Sequence, residues 1–138
     1  MHTLLDLHIT RDLARGSGLS AADYDVLTTV SEGPEAGWRA HELAARLLWS
    51  TSRLAHQVGR MESRGLVVRR GCDDDARGAT IGLSEAGWEA LRDAAPGHVR
   101  SVRRHLIDLL TPAEIESLAA ISAKVVEHFA APGSTAAK

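Results

Sequence analysis

The sequence predicts a mostly α-helical chain with one small β-hairpin. Two observations predict it. Apolar residues recur at helical spacing in stretch after stretch, and two short β-prone runs, "LVVRRGC" and "ATIGL", flank a turn-rich link in the middle of the chain. A third observation bears on function. The net charge is only −2, yet the charge is segregated along the chain. Residues Met1 to Trp38 hold two arginines against six acids, Arg39 to Arg70 hold seven arginines against two glutamates, and Gly71 to Lys138 are again acidic. The whole positive excess sits in one central segment, where it makes either a solvated face or a polyanion-binding one, and what the arginines are mounted on decides between them.

With 138 residues, 44% of them hydrophobic, the chain supports one core and one domain, expected over residues 1–131. No apolar run approaches the roughly 20 residues that span a bilayer, and the start of the chain lacks a basic-then-apolar signal pattern, so no membrane partner and a cytoplasmic location are expected. Cys72 is the one cysteine, which excludes an internal disulfide and fits a reducing compartment.

In chain order, Leu5, Ile9 and Leu13 mark a short first helix that Gly16 to Gly18 end. Ser20 and Asp23 form a capping box for a second, from about Ala21 to Glu32, with Tyr24, Leu27 and Val30 as its stripe. A third helix from Ala40 to Leu47 turns Leu43, Ala44 and Leu47 inward, and Ser50 or Thr51 caps the fourth. Helical projection of that fourth helix puts Leu54, Val58 and Met61 on an inner face. Ser52, Arg53, His56, Arg60 and Ser63 fall on the opposite arc, with Gln57 at its margin. Hydroxyls, imidazole and forked guanidinium donors on one face are what reading phosphates and guanine edges in a major groove requires. Gly65 ends the helix and the hairpin follows. Helix, turn, helix, hairpin predicts a winged helix-turn-helix, with Ser50, Thr51, Ser52, Arg53, His56, Gln57 and Arg60 as candidate DNA contacts.

Four pieces in this order resemble the MarR family of bacterial transcriptional regulators. They are Leu43-Ala44 opening the penultimate helix, Arg64-Gly65-Leu66-Val67 leaving the recognition helix, Asp75-Ala76-Arg77 in the wing, and Leu83-Ser84-Glu85-Ala86-Gly87 starting the next helix. The resemblance implies a winged-helix lobe over about 36–87 and dimerisation helices over about 1–16 and 88–131. It implies that Arg77 reaches the minor groove or the phosphates while Asp75 orients a neighbouring basic group. Asp73 and Asp74 have no such role and are expected to make a solvated turn. The family's turn often carries a glycine where this chain has Leu48 and Trp49; Trp49 is expected to plug the core. Gln57 stands where an apolar residue is common and would widen the polar face.

After the wing, Ser84 caps a long helix bearing Trp88, Leu91, Val99, Val102, Leu106 and Leu109, with a kink or break expected near Ala95 because Pro96 removes a helical hydrogen bond. Thr111-Pro112-Ala113-Glu114 starts a last helix with Ile115, Leu118, Val125, Val126 and Phe129 inside, and residues 132–138 are expected to be a disordered tail. These flanking helices exceed what a winged helix needs and call for a second copy. The resemblance implies an interlocked homodimer with two recognition helices for a pseudo-palindromic site on double-stranded DNA.

It further implies a possible small aromatic or phenolic effector in a crevice that Trp38, Trp88 and His8 could line, although spacing alone assigns no effector residue. Relatives that sense oxidants do so through a cysteine in the first two helices, a place Cys72 does not occupy. No cofactor, metal or catalytic residue is expected. His98 and His105 lack a third ligand at metal spacing, the acidic cluster lacks a calcium-loop pattern, and neither a phosphate loop nor a nucleophile motif occurs. The alternative to a DNA-binding repressor is a winged-helix protein-interaction module without DNA binding.

Overall fold

The computed structural model describes residues 1–71 and 78–130. The chain divides into two compact units, Met1–Ser101 and Val102–Lys138.

The first unit opens with α1 (His2–Ser17), which is longer than its apolar stripe predicts and ends where Gly18 adopts a left-handed φ of 72°. Then comes α2 (Ala21–Ser31), whose Ser20–Asp23 capping box forms in both directions, Asp23 N–H donating to Ser20 Oγ and Ser20 N–H to Asp23 Oδ2. Next are β1 (Trp38–Arg39), α3 (Ala40–Leu47), α4 (Thr51–Ser63), β2 (Val67–Arg70) and β3 (Thr80–Leu83). The long α5 (Glu85–His105) closes the series. Helices two to four and the hairpin lie within two residues of their expected bounds.

Two further features of the backbone in this unit differ from expectation. The hairpin is part of a three-stranded antiparallel sheet of order β1-β3-β2, with Trp38 opposite Ile81 and Val67 opposite Leu83. Two residues are too few for a periodicity to announce a strand; what makes β1 possible is Gly37, whose φ of 89° and missing side chain let the chain pass 2.8 Å from the Ile81 carbonyl oxygen, measured from where a Cβ would sit. The second difference is that α5 runs unbroken through Pro96, so of the kink or break expected near Ala95 the break does not occur.

The core of this unit gathers Leu27, Leu43, Leu54, Val58, Met61 and Val67, all under 2% exposed. All but Val67, which comes from the first β-prone run, belong to a stripe visible in the sequence, so helices α2, α3 and α4 meet the sheet through the faces their spacing marks out. At its edge, Gly87 sits so close to the chain leaving α4 that a Cβ there would lie 2.0 Å from the Leu66 carbonyl oxygen. Ser84 completes this joint. Its hydroxyl donates to the Gly65 carbonyl and accepts from the Gly87 N–H.

In the second unit, a short 3₁₀ turn (Ile107–Leu109) precedes α6 (Pro112–Ala130). The predicted start of α6 forms, with Glu114 accepting from both the backbone N–H and the hydroxyl of Thr111. Its apolar residues, however, are not inside. No residue of α6 is buried; Val125 and Val126 are exposed and Phe129 is 73% exposed, while Ile115 and Leu118 are half-buried. On α5, Val99 is exposed too. Among the described residues these stripes therefore stand largely uncovered. Among the described residues no helix is long and apolar enough to cross a membrane.

Candidate nucleic-acid interface

The site is built around the joint between α3 and α4. Helix α3 ends on Leu48, which adopts φ 56°, ψ 35°, a left-handed conformation that disfavours a side chain. The reversal is held by Leu48 N–H donating to the Ala45 carbonyl and Trp49 N–H to the Ala44 carbonyl. The turn between the two helices is thus made without a glycine. Ser50 caps α4, its hydroxyl oxygen accepting from the Arg53 N–H at 3.1 Å.

On α4 the faces separate as the projection predicts for all but one residue. Leu54, Val58 and Met61 are buried, and Thr51, Ser52, Arg53, His56, Arg60 and Ser63 are exposed. Trp49 packs partly buried against the core and also carries the Arg53 guanidinium 4.1 Å above its ring centre, a cation–π contact that restricts the arginine.

Gln57 is the exception and corrects the expected widening of the polar face. It is only 3% exposed and points inward, its Nε2 donating to Asp23 Oδ1 at 2.7 Å. Its position repeats the helical core spacing with Leu54, Val58 and Met61, a signal that its polarity masks. The capping box likewise identifies Asp23 as a helix start without indicating that it is buried. In the fold Asp23 also accepts from Arg64 Nη1 at 2.7 Å. Burial works to raise this carboxyl, but the Arg64 guanidinium and the Ser20 backbone N–H outweigh it and hold the group below the usual aspartate value. Gln57 Oε1 in turn accepts from Arg60 Nη2.

Part of the central arginine excess is thus taken up by acids of the same chain. Arg64 pairs with Asp23, and Arg69 with Glu62 at 3.2 Å. Beside the α4 face lies Asp25, whose carboxyl is raised by burial against the opposing pull of Arg53 and His98. Arg77 and Asp75, with Cys72, Asp73 and Asp74, lie outside the described residues, as does the tail 132–138.

The three residues named for an effector crevice lie in different surroundings. Trp38 is half-buried with its Nε1 donating to the Thr29 carbonyl, whereas Trp88, 41% exposed, lines a groove of about 400 Å³ with Arg70 and Glu35; His8 is exposed on α1. Among the described residues no group of three or more His, Cys, Asp or Glu could hold a metal ion.

A model of the MarR family matches residues 17–78. The chain is 40% identical to AbsC, a MarR family transcriptional regulator from Streptomyces coelicolor, over 93% of this chain and 86% of that one, with a TM-score of 0.83. It is 38% identical to Sco3205, a MarR family transcriptional regulator of the same organism solved in complex with DNA, covering 97% of this chain and 86% of that one with a TM-score of 0.84. A probable transcriptional regulator from Pseudomonas aeruginosa, 22% identical, shares the fold with a TM-score of 0.74 over 90% of this chain and 92% of its own. No curated protein sequence matches significantly. With the α3–α4 joint, the antiparallel sheet and these similarities together, the chain belongs to the MarR family of transcriptional regulators.

Proposed function

We propose that this regulator is a cytoplasmic repressor without catalytic activity, a single domain over residues 1–131 that binds a pseudo-palindromic site on double-stranded DNA as a homodimer. The observation that carries the reading is the exposed row Ser52, Arg53, His56 and Arg60 on one face of α4, with Thr51 exposed at the helix start, while the opposite face is locked into the core. Hydroxyls and the capped start of α4 suit phosphates, while Arg53 and Arg60 carry the forked donors that read guanine. The complex of Sco3205 with DNA supports the same use of the fold here. Arg77, supported by Asp75, would add a wing contact to the minor groove or the phosphates.

The dimer accounts for the apolar residues that a single chain leaves in water. Ile121 and Val125, one turn apart on α6, are both more than half exposed, and apolar surface left in water forgoes about 25 cal/mol per Å². A second copy meeting this face would cover it and present two recognition helices about one DNA turn apart. A small aromatic or phenolic effector releasing the DNA belongs to the same reading; the groove beside Trp88 and Arg70 offers a ring platform and a cation.

The test is selection of duplexes from a random pool, followed by binding and sedimentation of the protein beside an Ile121→Glu, Val125→Glu variant. The intact protein should sediment as a dimer and prefer the selected duplex over a scrambled one by at least about a thousandfold. The variant should keep its fold, sediment as a monomer and bind the selected duplex far more weakly. Failure to enrich any duplex would favour the protein-interaction alternative. A monomeric intact protein would remove the two-fold operator.

A further inference from the structure

The α4 face is joined to the start of α2 by a buried polar relay. Asp23 and Gln57, 34 positions apart in sequence, are each 3% exposed. Both carboxylate oxygens of Asp23 are committed, Oδ2 to Ser20 N–H and Arg64 Nη1, Oδ1 to Gln57 Nε2. This fixes which way the Gln57 amide lies, because its oxygen cannot face a carboxylate; Oε1 must point away from Asp23. There it accepts from Nη2 of Arg60, three residues along the helix and exposed among the candidate DNA contacts.

We propose that Gln57, anchored by Asp23, is a positioning residue that aims the Arg60 guanidinium at DNA, so that the specificity of the recognition helix depends on a contact buried beneath it. The proposal rests on the reading of α4 as the DNA-facing helix. An exposed arginine ordinarily samples many rotamers and gives up that freedom when it binds. Here one Nη is already held by an acceptor that is itself held in the core. That leaves the plane of the fork set and its other donors available. A bidentate contact to a base edge depends on that plane, whereas attraction to phosphate depends mainly on charge. The relay should therefore matter more for choosing a sequence than for holding DNA in general.

The test is a double-mutant cycle between Gln57→Met and Arg60→Ala. Methionine keeps the length of the side chain and removes both the donor and the acceptor. The probes are a duplex selected from a random pool by the wild-type protein and a scrambled duplex of equal length and composition. Arg60→Ala should weaken the selected duplex by about tenfold and the scrambled one less. Gln57→Met should lower preference at the same base pairs that Arg60→Ala affects, and the double variant should bind within about twofold of Arg60→Ala alone. Losses that multiply, or a Gln57→Met loss equal on both duplexes, would make Gln57 a purely structural residue and overturn the proposal. An Arg60→Ala variant that binds like the wild type would overturn it by a different route, since nothing would be left to position. If the wild type itself selects no duplex, the reading of α4 falls instead. One measurement needs no core substitution. In the free wild-type protein the Arg60 Nη protons, identified by their loss in Arg60→Lys, should give separate NMR signals because rotation is hindered; one averaged signal would refute the relay.

Discussion

Replacing Leu48 with glycine should stabilise the protein. Leu48 holds φ 56°, ψ 35° at the end of α3, and its side chain is 92% exposed. The left-handed conformation costs an L-residue about 1–2 kcal/mol. Glycine removes that cost, and its greater freedom in the unfolded chain takes back about 0.5–1 kcal/mol. Almost no packing is lost, because an exposed leucine has little to lose. The difference is a net gain of about 0.5–1 kcal/mol, or a rise of about 2–4 °C in melting temperature for a chain of this size. Urea unfolding at one fixed protein concentration is the right assay, since self-association shifts apparent stability. Leu48→Ala is the control, because it shortens the side chain yet keeps the Cβ that strains the turn, and it should fall within about 0.5 kcal/mol of the wild type. If glycine proves no more stable than alanine, the strain does not exist or the exposed leucine packs against something, and the reasoning fails.

Other substitutions probe the remaining joints. Gly87→Ala should cost at least about 3 kcal/mol, because a Cβ 2.0 Å from the Leu66 carbonyl forces the start of α5 away from the exit of α4; calorimetry showing less than about 1 kcal/mol would mean the joint yields easily. Asp23→Asn should lower stability by about 1.5 kcal/mol above pH 5, the low end for a charged hydrogen bond because Arg64 is nearly half exposed. The folded carboxyl titrates below its unfolded value, so this contribution is complete above about pH 4 and disappears as pH falls through the lower folded value. Stability curves of the two proteins should therefore converge in acid, and a gap that stays constant with pH would contradict the assignment. Arg53→Ala should reduce discrimination among operator variants by about 1–3 kcal/mol, whereas Arg77→Ala should weaken all duplexes alike and lower the salt slope by about 1. Equal losses for Arg53→Ala on selected and scrambled DNA would make it a phosphate contact.

What the sequence determined by itself was the set of helices and, for α2, α3 and α4, the face turned inward. Leu54, Val58 and Met61 recur at helical spacing, and a stripe so spaced can be buried only on one side. The caps at Ser20, Ser50 and Thr111 were legible for the same reason, since the partner of each lies three residues away. The exposed row on α4 follows from the inner stripe by exclusion. Tertiary structure decided whatever depends on residues distant in the chain. Strand β1 exists because Gly37 lets Trp38 and Arg39 reach a strand some forty positions away, and two residues carry no period of their own. Gln57 reads as surface by its chemistry, yet it is buried because Asp23 waits beneath it with a free carboxylate oxygen. Arg64, one of seven arginines that the count treats alike, is turned to the same carboxylate. Period and composition record what a side chain prefers in water; they do not record which buried partner satisfies it, and that partner comes only with the fold.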